Sequence, residues 1–362
     1  MNRIAKIILT PVLAATIGTG GLLGWLTGTE YKPAPVEAVE QSAAADSSTL
    51  RRVRSGQELT VLSWNIGYGG LGKGSDFFMD GGKNTRSADQ AQVRAYLDGI
   101  SASIRDSDAD LVLLQEVDAN SSRTYGIDER ELLNTEKDGA AFALNYACPF
   151  VPNPNTLIIH PLGKIYSGLY TIADDLAVDR SERIALPCPF SWPLRIANLK
   201  RCLLASYLPV EGSDRQLVLV NLHLEAYDDG EGKIAQTNQL RDFIESEYAK
   251  GNYVIAGGDF NQVFPGSLEV YPNTHEENWK PGVLDEALLP AGWTLAYDLS
   301  TPTCRLLNQP YDPGDTAGTQ HYVIDGLILS PNVRLKSVET VDAGFENSDH
   351  NPVRTQVVLE VG

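Results

Sequence analysis

Six apolar stretches of this chain run out into residues that bind cations or move protons. They deliver Asn65, then Gln115 with Glu116, Asn221 with His223, Asp259 with Asn261, Asp325, and finally Asp349 with His350 just ahead of the last apolar run. Any one such end reads as an ordinary cap or turn, because Gly, Asp and Asn are the residues turns use. The stretch AGGDFNQVF, residues 256–264, shows the ambiguity. Its two glycines let backbone and ligand come close. Asp259 and Asn261 lie two apart, so in extended chain they face the same way and reach one ligand. Repeated at six ends, the pattern points to a site at one edge of a sheet. Its chemistry would be carboxylate oxygen around a hard cation, with histidine and carboxylate moving protons.

Strands and helices alternate from Leu59 onward, as such a site requires. LTVLSWNI (59–66) reads as a buried strand, followed by a glycine-rich loop over 65–87. DQAQVRAYLDGISASI (89–104) places Val93, Leu97, Ile100 and Ile104 on one helix face. ADLVLLQEV (109–117) is a short apolar strand, and a helix is expected near Glu129 to Phe142. SGLYTIA, RCLLASYLP and RQLVLVNLHLE read as strands, Lys233 to Ala249 as a second amphipathic helix, and NYVIAGG, YVIDGLILS, VRLKSVETVD and NPVRTQVVLEV as further strands.

The 362 residues carry a net charge of −18 with 43% hydrophobic content, values of a globular chain with a large core. There is no internal repeat. The acidic body repels nucleic acid and anionic membrane at long range, without excluding a local basic groove or a bridging cation. At the N-terminus, basic MNRIAK precedes an uncharged run from Ile7 to Thr29. Ile7 to Leu26 matches a bilayer span in length, and the basic flank orients the body outward. A membrane anchor is preferred to a cleaved signal peptide, because the run is long and no A-x-A site follows it closely. Residues 1–29 are thus read as anchor or signal, 30–56 as a polar tether, and 57–362 as the catalytic domain. Four cysteines without a C-x-x-C argue against a structural zinc site. Export permits disulfides, and buried free thiols fit equally well. Nothing points to a protein partner.

SWNI (63–66), LQEV (114–117), NLHLE (221–225), GGDFN (257–261), VIDGLILS (323–330) and SDHNPV (348–353), in this order, resemble the endonuclease/exonuclease/phosphatase superfamily. The resemblance covers essentially all of residues 59–360. It implies an α/β fold, a four-layer α/β/β/α sandwich of two mixed sheets packed face to face with helices outside. It also implies divalent-metal-dependent hydrolysis of a phosphoester, with Mg²⁺ or Mn²⁺ as cofactor. By the same resemblance Glu116 is the principal metal ligand, Asn65 supports metal and phosphate, and Asp349 is a second acidic position. Asp259 would orient or deprotonate water, Asn261 hold a phosphoryl oxygen, His223 donate to phosphate or leaving group, and Asp325 partner the catalytic His350. Arg201 is a candidate phosphate contact, with a surface arginine as the alternative. Lys83 and Arg86 could bring charge to a substrate phosphate.

The chain departs from the family pattern at two places. Gly67 stands where many members carry an acid two residues after the first Asn, so one-metal chemistry is expected. The IDG segment (324–326) lacks the aromatic that often follows the Asp. Gly67 to Gly74 also mimics a phosphate-binding P-loop, but Gly74 replaces the required Ser/Thr, so a nucleotide-hydrolysing reading is rejected. For substrate, the acidic body, the expected anchor and the apolar, Pro-braced CPFSWPL with Trp192 rank a phospholipid or small phosphoester above nucleic acid. The alternatives are a metal-dependent endonuclease and a catalytically inactive tethered binding protein. Intact Glu116, His223, Asp259, Asn261, Asp325 and His350 favour an enzyme.

Overall fold

Runs that are apolar on both faces become the central strands. A computed structural model describes residues 17–42, 50–86, 88–133, 139–153, 156, 160–228, 230–275, 277–315 and 318–361. Two seven-stranded sheets carry the architecture. One runs Val36–Val39, Arg180–Ala185, Cys202–Pro209, Gln216–His223, Tyr253–Asp259, Asp325–Leu329, Thr294–Ala296. The other runs Val333–Thr340, Val353–Leu359, Glu58–Asn65, Leu111–Asp118, Gly163–Ala173, Gly139–Val151, Gln41–Ser42.

Each sheet contains a central parallel pair, Glu58–Asn65 with Leu111–Asp118 and Gln216–His223 with Tyr253–Asp259. A parallel pair needs a crossover, and helices Gln90–Asp106 and Glu231–Ala249 supply the two. Alternate residues then divide three cores. Val61, Leu113, Leu219, Ile255, Leu327 and Val357 meet between the sheets. Leu62 and Leu114 pack outward on Leu97 and Ile100 of the first helix. Val218 and Val254 pack outward on Leu240 and Ile244 of the second. The result is the four-layer α/β/β/α sandwich. Both parallel pairs end at one edge of it: Asn65 lies opposite Gln115, and Asp259 opposite both His223 and Asp325.

Two expectations change. The helix near Glu129–Phe142 is one short element, Glu129–Leu133; from Gly139 the chain is a strand paired with Gly163–Ala173. Ten residues of ladder pairing, with Ala141 and Ala143 buried against Cys202 and Leu204, override local helix preference. The expected tether is bound over its first part. Val36–Val39 pairs with Arg180–Ala185, and Gln41–Ser42 with Ala140 and Ala141, so the segment adds an edge strand to each sheet. The Glu30 side chain is buried against Arg195 and Lys200, at 3.0 and 3.4 Å.

Of the expected anchor Ile7–Leu26, residues 1–16 lie outside the described ones. Residues 17–28 are helical, and Leu26 packs into an apolar cluster with Tyr146, Val151, Leu162 and Ile196. Among the described residues no helix is long and apolar enough to cross a membrane. All four cysteines are free thiols, Cys188 exposed and the other three buried.

Candidate active site

Gly258 explains why a buried strand ends on two glycines. Its φ is +148°, and a Cβ there would lie 1.9 Å from the Leu222 carbonyl oxygen. Only glycine brings the strand this close to its parallel neighbour, and the next residue, Asp259, is delivered beside His223. Asp259 is then held from two sides. Its Oδ1 accepts from the Asn261 backbone N–H at 2.8 Å, and its Oδ2 from Asn65 Nδ2 at 3.0 Å. The same Asn65 amide donates to Glu116 Oε1 at 3.2 Å, which ties the ends of the two sheets together. Glu116 sits at a break in strand register between Leu114 and Val117, with φ +56°. The left-handed backbone costs on the order of 1–3 kcal/mol and re-aims the side chain to the sheet edge.

The histidines differ in charge. His350 Nδ1–H donates to Asp325 Oδ2 at 2.8 Å, and His350 Nε2 lies 3.9 Å from Asp259 Oδ2. Burial opposes an imidazolium there, but the Asp325 carboxylate outweighs it and holds His350 well above the usual histidine range. His223 Nε2 is 3.4 Å from Asp259 Oδ2 and 3.9 Å from Glu116 Oε1. Burial, helped by Arg201 and His350, pushes it well below the usual range, so it is a neutral imidazole.

The acids crowd one another. Burial and then the nearby Asp325 push Asp259 up to about 7, and burial pushes Asp349 up to about 6. The carboxyl oxygens of Asp259 and Asp325 and a ring nitrogen of His350 lie within 4.8 Å of one another. Cys304, Asp349 and His350 form a second such group. Oxygen-rich donors with unneutralised negative charge suit a hard divalent cation. The carboxylates of these groups suit such a cation; the Cys304 thiol, pushed up by burial to about 12, stays protonated and does not. Gly67 also has a reason: at φ +51°, a Cβ would lie 2.8 Å from Asp349 Oδ1 and 2.9 Å from Leu71 Cβ, so any side chain there would displace its neighbours.

These side chains line a cavity of about 410 Å³, with Glu116, Arg201, His223, Asp259, Asn261, Asp349 and His350 among its walls. Asp325 lies behind His350. Arg201 is no surface arginine: it is buried, its Nε has no hydrogen-bond partner, and Glu225 lies 3.7 Å away. Lys83, Arg86 and Trp192 are not among the lining residues. Arg86 Nη1 donates to the Ser122 carbonyl at 2.9 Å, and Trp192, 52% exposed, donates to Thr27 Oγ1 at 3.1 Å.

Sequence reasoning missed Asp80, Tyr227 and Arg305, all in the cavity wall. Tyr227 O–H donates to Asp80 Oδ1 at 3.2 Å, and burial pushes Asp80 up to about 7. Arg305 pins the glycine-rich loop, donating from Nη2 to the Gly72 carbonyl at 2.9 Å. Tyr227, just beyond NLHLE, was within reach of a motif reading; Asp80 and Arg305 carried no sequence signal.

The family model described as "Endonuclease/Exonuclease/phosphatase family" matches residues 62–350. No match was found among curated proteins. Several solved structures share the fold. An endonuclease/exonuclease/phosphatase protein from Beutenbergia cavernae DSM 12333 is 17% identical, with a TM-score of 0.55 over 86% of this chain and 72% of its own. ANGEL2, described as a 2′,3′-cyclic phosphatase, is 14% identical, with a TM-score of 0.53 over 89% of this chain and 99% of its own. The human Nocturnin catalytic domain is 17% identical, with a TM-score of 0.50 over 88% and 96%.

Proposed function

Because the chain belongs to the endonuclease/exonuclease/phosphatase family, we propose that it is a divalent-metal-dependent phosphoesterase that hydrolyses a phosphoester by in-line attack of water. The observation that carries this reading is the single Asn65 amide nitrogen that donates to both Glu116 and Asp259, drawing the two sheet ends into one acidic cluster beside His350. When bound at Asn65, Glu116 and Asp349, Mg²⁺ or Mn²⁺ would neutralise phosphoryl oxygens and favour attack by water.

The chain's own residues do the rest. Asp259 orients the attacking water and takes its proton, its carboxylate fixed by Asn65 and Asn261. His350, kept cationic by Asp325, faces the negative charge that grows on the phosphoryl oxygens. Arg201, in the cavity wall and ion-paired with Glu225 through Nε at 3.7 Å, places its positive charge beside the same anion. His223 is neutral and presents Nε2 toward Asp259 and Glu116, so its single N–H can donate a hydrogen bond toward phosphate or leaving group but not a proton. Asn261 leaves the extended conformation at φ +50°, contrary to expectation, and its side-chain amide donates to the Leu224 carbonyl at 2.9 Å, leaving its second N–H for a phosphoryl oxygen.

A phospholipid or other small phosphoester is preferred over nucleic acid, because a chain of net charge −18 lacks the general attraction that DNA binding uses. The basic N-terminal flank and the apolar run after it support an extracytoplasmic catalytic domain held at the membrane. One preparation assayed side by side on supercoiled plasmid, phospholipid vesicles and soluble phosphomonoesters tests the substrate. Turnover of vesicles or small esters is expected. Plasmid nicking at far lower enzyme concentration would overturn the preference.

A further inference from the structure

The catalytic cluster forms part of the cavity wall. The same cavity is also walled by an apolar group, Leu71, Phe77, Phe78, Met79, Val151 and Leu199. Phe77 and Phe78 pack with ring centroids 4.8 Å apart, and both join the apolar cluster that contains Leu26 and Leu199. Three of the polar side chains in this wall are already engaged with the protein. Tyr146 O–H donates to the Ala197 carbonyl at 2.7 Å, and Trp279 Nε1–H to the Ala226 carbonyl at 2.9 Å. Arg123 is held by both oxygens of Asp118, at 2.9 and 3.0 Å, and lies 3.5 Å from the centroid of the Tyr68 ring. A nucleobase placed here would lose its water without gaining partners. A hydrocarbon chain has nothing to lose. At the rim, Leu194 and Met79 remain 64% and 44% exposed.

We infer that this apolar chamber holds a hydrocarbon chain of an amphiphilic phosphoester, with the phosphoryl group placed between Asp259, His350 and Arg201. The inference rests on the phosphoesterase reading of the same cavity. It names what that reading leaves open, the group attached to the phosphate. The chamber's walls come from the 67–87 loop, the Gly139–Val151 strand and the segment before Cys202, so they are separate from the strand ends that carry the catalytic groups.

A series of alkyl 4-nitrophenyl phosphates with methyl, butyl, hexyl and octyl groups, each below its micelle concentration, tests it on the full chain. Water attacks phosphorus, the bond to the aryl oxygen breaks, and 4-nitrophenolate and the alkyl phosphate leave. The expected result is a rise in kcat/KM of about threefold per methylene, approaching the transfer value of a buried CH₂, until the chamber is full. Met79→Asp and Leu194→Asp alter exposed side chains, so folding is not at stake. They should flatten this rise when each ester is compared with the methyl ester on the same variant. Equal kcat/KM across the series, on enzyme that turns over the methyl ester, would overturn the inference. So would an undiminished slope in both variants. Failure to turn over any ester counts against the phosphoesterase reading alone. In that event octylphosphonate binding to the chelated protein, followed by tryptophan fluorescence, still reports on the chamber. Binding at least tenfold tighter than methylphosphonate supports it, and equal affinity refutes it.

Discussion

Replacing Asp325 by Asn preserves the size of the side chain and removes the charge that faces His350. Asp325 Oδ2 accepts from His350 Nδ1 at 2.8 Å, both groups are buried, and burial alone would drive the imidazole to its neutral form. Unit charges about 4 Å apart at an effective dielectric near 20 attract by about 4 kcal/mol. Losing that attraction corresponds to roughly a thousandfold in an equilibrium or a rate. The Asn variant should therefore turn over bis-p-nitrophenyl phosphate with Mg²⁺ at a kcat lowered about 10²–10⁴-fold. KM should move far less, because the phosphate still meets Arg201 and the cation. In the chelated variant the His350 ring, followed by ¹⁵N chemical shifts, should lose its proton at a lower pH than in the parent. A kcat within about tenfold of the parent, or an unchanged His350 titration, would refute the assigned role of the pair.

Arg201→Ala should lower kcat/KM on the same diester by about 10–100-fold, the worth of one charge-assisted hydrogen bond to a phosphoryl oxygen; steady-state kinetics at saturating metal checks this. Gly258→Ala should destabilise the fold by about 3 kcal/mol or more, because its Cβ meets the Leu222 carbonyl at 1.9 Å; denaturant midpoints measure it. Asp80 is pushed up to about 7 by burial, whereas its unfolded value is near 3.8. The folded chain binds the extra proton between these values, so stability falls as pH rises from about 4 to about 7 and then levels off. Asp80→Asn should remove roughly 2–3 kcal/mol of the loss between pH 5 and pH 8 in the chelated protein, read from urea unfolding at the two pH values.

The strand ends were legible because each pairs a local signal, an apolar run, with a polar residue at its close. The parallel pairs then fix which ends meet: Asp259 falls opposite His223 by register alone, with no loop to place it. Loops offer no such rule. Asp80 reaches the cavity because Arg305, over 220 residues later in the chain, pins the glycine-rich loop through the Gly72 and Ser75 carbonyls. Arg201 was undervalued because its burial depends on Glu225 and the His223 carbonyl, both supplied by the neighbouring strand end. Residues 36–39 read as tether because an edge strand of alternating polarity has little hydrophobic signal of its own; its partner, Arg180–Ala185, supplies the ladder. The Gly139–Val151 strand was obscured in the same way, with small alanines whose burial is decided by the facing sheet.

Under the proposed function, an acidic strand-end cluster and a cationic histidine hydrolyse a phosphoester with a divalent cation. The most direct measurement of this is turnover of bis-p-nitrophenyl phosphate by the purified full chain, before chelation, after chelation, and after readdition of Mg²⁺ or Mn²⁺, with His350→Ala in parallel. Activity should vanish with chelator, return with either cation, and stay at least about a thousandfold lower in the variant. Turnover that survives chelation, or a fully active His350→Ala, would contradict it.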